Sequence, residues 1–256
     1  MGSTRHPIAR QKSRTEQGAK ARRSSFSSGR PLELNPRSAR PAYRFGVRPN
    51  RHVVVAARGT CAMLIAVALA AEIGREAGDS GWSAADFVSH FTVLANVFAA
   101  GLWLVLLLPR LELRNRDALR GAAVVYMLTT AVVYNTLLSG SHARVPWATI
   151  VLHVVAPLVV AIDWLVAPLV ARVSARAAMW WLVFPAAYAI YTLVRGRVVG
   201  WYPYYFLDPR SPHTYLLVGA YCLAIGAGIA ILGVAVTQIG NRTQPFGRVA
   251  RPRSPA

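Results

Sequence analysis

Apolar residues in this chain run in long, nearly unbroken stretches. Six of them, at about 53–73, 88–108, 121–139, 147–170, 177–194 and 215–239, approach the length of a membrane span. A helix needs roughly 20 mostly apolar residues to cross a hydrocarbon core about 30 Å thick. Arg, Pro, Gly or Asp flanks each stretch. No period-2 alternation marks a transmembrane barrel, and no internal repeat of roughly 20–50 residues is visible. The pattern predicts an all-α polytopic membrane helix bundle. Six transmembrane helices occupy 52–240, between a tail at 1–51 and a second at 241–256.

Composition agrees with this division. Of 256 residues, 54% are hydrophobic and 15% charged, against about 25% charged in ordinary soluble domains. The balance of 29 Lys+Arg to 10 Asp+Glu gives a net charge of +19. The charges concentrate outside the apolar runs: residues 1–51 alone carry 13 basic and two acidic side chains. A single soluble globule is therefore excluded. A disulfide scaffold is excluded too, because Cys61 and Cys222 both lie within apolar runs. Lysine occurs only at Lys12 and Lys20, an arginine bias that points to a GC-rich bacterial gene and a bacterial plasma membrane.

Orientation follows from the arginines, which accumulate on the cytoplasmic side of a membrane. The two tails and the loops 109–120 and 171–176 hold 23 basic residues, and the other three loops hold five. Both termini are therefore placed in the cytoplasm, with Arg58 left over inside the first span. Ala68-Leu69-Ala70 resembles a signal-peptidase site, but the 52-residue basic region before the apolar run is too long for an ordinary signal peptide. Residues 1–51 are rich in Arg, Ser, Pro and Gly and predict a disordered tail attracted to anionic lipid headgroups. The tail at 241–256 reads alike. Neither has the fold or the interleaved aromatics that would point to nucleic acid.

Polar side chains within hydrocarbon are costly and mark the places where chemistry is possible. Thr92 and Asn96 lie four apart on one face of the second span. The ordinary role of such a Thr is a bond to its own helix carbonyl, here that of Val88, and of such an Asn an interhelical bridge. His153 is the one histidine well inside a span. Pro157, four residues later, has no N–H for the His153 carbonyl, predicting irregular backbone beside the imidazole. Thr92 and His153 both fall roughly 6–9 Å below the outer boundary, counted at 1.5 Å per residue. Tyr134, Asn135, Tyr188, Tyr191 and Thr192 reach a similar level. Asp163 lies about 15 Å beyond His153 along the same helix, too far for a triad. An ion pair with Arg120, Arg172 or Arg176 is expected instead. Trp201, Tyr202, Tyr204, Tyr205 and Phe206 form an aromatic cluster before the last span. The cluster is read either as an interfacial belt or as the roof of a cavity. Gly219, Gly226, Gly228 and Gly233 predict close helix packing.

At these residues the sequence resembles the androgen-induced / FAR-17a membrane protein family, particularly its bacterial branch of multi-span proteins. The matching segments are Phe91-Thr92-Val93-Leu94-Ala95-Asn96, Arg120-Gly121, His153 with Pro157, Asp163-Trp164, and the run from Gly200 to Asp208. Animal members of the family are multi-span hydrolases with an intramembrane threonine nucleophile and a histidine. They cleave fatty acid esters of hydroxy fatty acids. The resemblance implies Thr92 as nucleophile and His153 as general base. The Trp-Tyr-Pro loop departs from the animal proteins and follows the bacterial branch.

The resulting expectation is an intramembrane threonine hydrolase acting on lipid or fatty-acyl esters. His153 activates the Thr92 hydroxyl. Asn96, Tyr134, Asn135 or Tyr191 supplies an oxyanion donor, and Trp201, Tyr202 and Tyr204 complete the pocket. No cofactor is expected, and no His and carboxylate set has metal-ligand spacing. Membrane lipids are the expected partners. Two other classes fit the same hydropathy: a non-enzymatic lipid-binding or scaffolding protein, and a small transporter.

Overall fold

The computed structural model describes residues 2, 50–78, 80–108, 115–140, 145–167, 169–210 and 214–243. The basic tails expected at 1–51 and 241–256 fall almost wholly outside them. All elements below belong to the unit Pro41–Ala256.

The bundle is all-α, with no strand among the described residues. Helix α1 is Arg51–Glu76, α2 Ala84–Phe87, α3 Phe91–Leu107 and α4 Arg116–Val133. Helix α5 spans Trp147–Val166, α6 is Ala175–Trp180, α7 Val183–Val199 and α8 Tyr215–Thr243. Asn50 caps α1 by accepting the His52 N–H at 2.9 Å, and Ser174 caps α6 through the Ala177 N–H at 3.2 Å. Two helices contain a π-helical turn: α4 runs on into Tyr134–Leu138, and α5 contains Val151–Val155. Five helical segments are long and apolar enough to cross a membrane. Together with the apolar surface they present (Leu216 is 85% exposed, Val198 78%), they make this an integral membrane protein.

The predicted second span is shorter than expected. Ser83 caps the short helix α2, Val88 closes it, and an extended His90 starts α3 at Phe91. Helix α3 has 17 residues, about 25 Å of helix, which falls short of a full hydrocarbon core. The late start puts Thr92 in the first turn of a helix rather than four residues into one.

Helices α1 and α3 are in contact, and each buries small residues, Ala62 and Ala68 on α1 and Ala95 and Ala99 on α3. Small side chains let membrane helices approach closely, so dispersion contacts accumulate. Helix α4 lies at the centre, against α3, α5 and α8. At its N-terminal end Arg120 bonds Asp117 at 3.2 Å and Asp163 at 3.1 Å. Asp163 also receives a two-pronged pair from Arg58 at 2.8 and 3.1 Å. Asp117 in turn accepts the N–H groups of Val170 and Ala171. Asp163 thus pairs with one of the three arginines expected and also with Arg58, which the sequence had left without a role. Arg58 lies two turns into α1, where only the tertiary packing brings it opposite α5.

Of the four α8 glycines expected to pack closely, Gly233 does, with a Cβ there 3.6 Å from the Trp181 ring, and the tightest approach is at Gly240, which was not among them. A Cβ on Gly219, Gly226 or Gly228 would meet nothing within 4 Å. Gly240 is the site of close approach: the Trp164 indole lies against it and donates Nε1–H to the Val236 carbonyl at 3.1 Å.

Candidate functional site

The Thr92 hydroxyl and the His153 imidazole meet, with Oγ1 3.2 Å from Nε2. Two threonines of α4 and its π-helical extension bond as membrane threonines ordinarily do. Thr129 bonds the Val125 carbonyl at 2.8 Å and Thr136 the Val132 carbonyl at 2.7 Å. Thr92 sits second in α3, and no helical carbonyl precedes it by four residues. Its hydroxyl is left to point across to α5.

The partners of His153 fix its tautomer. Nδ1 lies 2.9 Å from the Thr149 carbonyl. A carbonyl can only accept, so in the neutral ring Nδ1 carries the proton and Nε2 turns its lone pair to Thr92. The backbone irregularity expected at Pro157 takes the form of the π-helical turn, closed by the Ala156 N–H on the Val151 carbonyl. Such turns recur at functional sites because they re-aim side chains. The second π-helical turn begins at Tyr134, whose ring stacks on His153 with centroids 3.9 Å apart.

Behind Thr149 stands a carboxylate. The Thr149 hydroxyl donates to Glu72 Oε1 at 2.7 Å, and Arg75 Nε donates to Oε2 at 2.8 Å. Glu72 is buried near the C-terminal end of α1.

Tyr204 closes the site from the aromatic loop. Its hydroxyl lies 3.4 Å from the Thr92 backbone nitrogen, whose N–H it accepts. The ring stacks on Phe206, centroids 5.2 Å apart. Burial pushes the Tyr204 phenol up, so it remains a proton donor at neutral pH.

Two cavities meet at these residues. A polar pocket of about 260 Å³ is walled by Glu72, Arg75, His90, Thr149, His153 and Tyr204. An apolar chamber of about 410 Å³ lies among Phe91, Leu182, Leu193, Phe206, Ile225 and Ile229. Thr92, Tyr134, Leu138 and Tyr204 line both. Ile190 and Leu223 in the chamber wall are 65% and 77% exposed. The chamber therefore reaches the lipid-facing side of the bundle between α7 and α8.

Several expected site residues lie elsewhere. Asn135 is exposed and bonds its own helix at Ala131. Tyr191 shares a 3.0 Å bond with Ser89 Oγ. Neither lines either cavity. Trp201 packs edge-on against His90, with the Arg195 guanidinium over its ring. Tyr202 covers Gly196, where a Cβ would overlap the ring, and stacks with Arg210. Helix phase turns Asn135 and Tyr191 outward, and Trp201 and Tyr202 are taken up by contacts with His90 and Gly196 beside the site. Asn96 is close by, but its amide nitrogen, the group that could donate to an oxyanion, is occupied. It donates to the Thr92 carbonyl at 2.9 Å and to the Leu152 carbonyl at 3.3 Å, the bridge between helices that such residues usually make. The aromatic loop divides between the two readings: Pro203, Tyr204, Phe206 and Leu207 line the cavities, and Trp201, Tyr202 and Tyr205 do not.

Nothing in the hydropathy pattern singles out Thr149 or Glu72. The one available signal was Glu72 with Arg75 at i,i+3 spacing inside the last turn of the first helix. Among the described residues no group of three His, Cys, Asp or Glu side chains is placed to hold a metal ion. Compared with known proteins, the chain matches no family model, no curated protein and no solved structure.

Proposed function

We propose that this integral membrane protein is a lipid-ester hydrolase with Thr92 as nucleophile and His153 as general base, related to the androgen-induced / FAR-17a proteins. One observation carries the reading: the imidazole lone pair of His153 accepts from the Thr92 hydroxyl at 3.2 Å, where an apolar chamber meets a polar pocket. An acyl chain fits the apolar side, and a leaving alcohol and water fit the polar one.

The steps balance without a cofactor. His153 Nε2 takes the hydroxyl proton as Thr92 Oγ1 bonds to the ester carbonyl carbon. The tetrahedral oxyanion faces the Tyr204 hydroxyl and the N-terminal turn of α3, whose amide N–H groups carry partial positive charge. The ester C–O bond breaks, and the imidazolium returns its proton to the departing alkoxide. His153 then deprotonates a water that attacks the acyl-threonine. The carboxylic acid leaves and the proton returns to Thr92.

In this reading the protein lies in a bacterial plasma membrane with both termini cytoplasmic, as the arginine asymmetry supports. The site then opens near the outer face, and a lipid ester arrives laterally between α7 and α8. Reagent access to single cysteines placed at Ser27 and Ser139 tests the orientation. Labelling of Ser27→Cys from outside intact cells would reverse it.

Long-chain ester hydrolysis by detergent-purified protein is the direct test. Thr92→Ala and His153→Ala should each reduce turnover by at least about 100-fold, the scale on which general-base catalysis contributes. Activity equal to the parent in either variant would eliminate the mechanism. A fluorophosphonate that reacts with activated hydroxyls should label the parent and not Thr92→Ala. No labelling and no hydrolysis in the parent would favour a non-enzymatic lipid-binding protein.

A further inference from the structure

Glu72 takes no part in the steps above, yet it ends a continuous series of polar contacts that begins at the nucleophile. Thr92 Oγ1 to His153 Nε2 spans 3.2 Å, His153 Nδ1 to the Thr149 carbonyl 2.9 Å, and Thr149 Oγ1 to Glu72 Oε1 2.7 Å. A helical threonine normally donates to a carbonyl of its own helix. Thr149 donates across to α1 instead. It lies in the first turn of α5, and first turns fray unless a partner ties them. Glu72 is itself held, through Oε2, by Arg75, and its side chain is only 9% exposed. A carboxylate is expensive to bury in a membrane protein, and at this depth an intramembrane ionisable group marks function more often than packing.

Resting on the hydrolase reading, we infer that Glu72 is the positioning carboxylate of this site. Acting through Thr149, it holds His153 with Nδ1 protonated and Nε2 facing Thr92. Anchoring the Thr149 hydroxyl fixes the backbone whose carbonyl receives Nδ1–H. Were that turn free to rotate, the ring could adopt the other tautomer, with a proton on Nε2 and no base facing the nucleophile. The negative charge has a second effect, since it shares the polar pocket with the imidazole. It favours the imidazolium that forms as Thr92 gives up its proton, as the buried aspartate does in a serine hydrolase triad. The other charged or titratable groups around that pocket are Arg75 and Glu76 from α1, His90 before α3, Tyr134 from α4 and Tyr204 from the loop. Arg75 pairs with both Glu72 and Glu76, which leaves Glu72 as the carboxylate bonded to α5.

The test combines a spectroscopic and a kinetic measurement on the full chain. In protein labelled with 15N-histidine, the His153 signals are assigned by their loss in His153→Asn. They should show one protonated and one unprotonated ring nitrogen, the signature of a single tautomer. Glu72→Gln keeps the shape and an accepting oxygen but loses the charge. It should shift these signals toward the tautomer average and lower kcat by about 10- to 100-fold with KM little changed. That is less than the roughly 10⁴-fold loss when an aspartate bonded directly to the ring is replaced. Glu72→Asp should restore part of both. Thr149→Val leaves the carboxylate and its Arg75 pair in place and gives the same test should Glu72→Gln not fold. An unchanged His153 pattern and unchanged kcat in Glu72→Gln or Thr149→Val would overturn the inference. The nitrogen signals need no turnover, so the outcome is separable from the hydrolase reading, which fails if Thr92→Ala or His153→Ala retains parent activity or if the parent neither hydrolyses esters nor labels.

Discussion

The Tyr134 ring lies over the His153 imidazole at 3.9 Å between centroids and 27° between planes. Each ring issues from a π-helical turn, one ending α4 and one within α5. Two local irregularities therefore produce one stacked pair. Stacking restricts the imidazole to the plane in which Nε2 reaches Thr92. The electron-rich face of the phenol also favours the imidazolium formed during acyl transfer.

Replacing Tyr134 should accordingly slow the chemistry without abolishing it. An aromatic pair contributes about 0.5–1.5 kcal/mol beyond buried area, so Tyr134→Leu should lower kcat roughly 2- to 10-fold. Tyr134→Phe retains the ring and should stay near the parent. Steady-state rates on one long-chain ester check both. A Tyr134→Phe loss as large as that of Tyr134→Leu would assign the effect to the hydroxyl instead.

Tyr204→Phe removes the hydroxyl beside the Thr92 amide and keeps the ring on Phe206. A single oxyanion donor is worth about 10²–10³ in kcat, and a loss of that order is expected with an unchanged melting temperature. A loss under about threefold would show that the oxyanion is stabilised without Tyr204.

Gly226 borders the apolar chamber, and a Cβ there would meet nothing within 4 Å. Gly226→Phe should fill the chamber and improve the helix locally, since glycine costs about 1 kcal/mol against better helix formers. Hydrolysis of a long-chain ester should fall by at least about 10-fold in kcat/KM, and that of an acetyl ester should hold within about threefold. Equal losses on both substrates would place the acyl chain elsewhere.

Asp163→Asn leaves the guanidinium groups of Arg58 and Arg120 facing each other with half their compensating charge removed. Breaking a buried ion pair from one side costs about 3–5 kcal/mol, and a clear fall in melting temperature should follow. The network lies at the other end of the bundle from Thr92. Fluorophosphonate labelling per folded molecule should therefore be retained below that temperature. Loss of labelling in protein that is still folded would tie the network to the site.

Hydropathy alone determined the class of this fold, because a membrane-spanning helix must be apolar along its whole length and few other structures tolerate that pattern. It located every long helix and missed two breaks, the one at His90 that shortens α3 and the one at Trp181 and Leu182 that divides α6 from α7. It also marked Thr92 and His153, since a hydroxyl and an imidazole stand out against aliphatic residues and their depths can be counted along the helix. Rotation about each helix axis is not legible in that way. Asn135 and Tyr191 lie at or near the right level but turn outward, Trp201 and Tyr202 pack beside the site on His90 and Gly196, and Tyr134 and Tyr204 line the cavities. Glu72 and Arg58 went unread for the same reason. A charged residue near the end of an apolar run looks like a boundary until another helix supplies its partner. Sequence thus fixed composition and depth along each helix. Packing between helices decided azimuth, and with it which polar side chains meet.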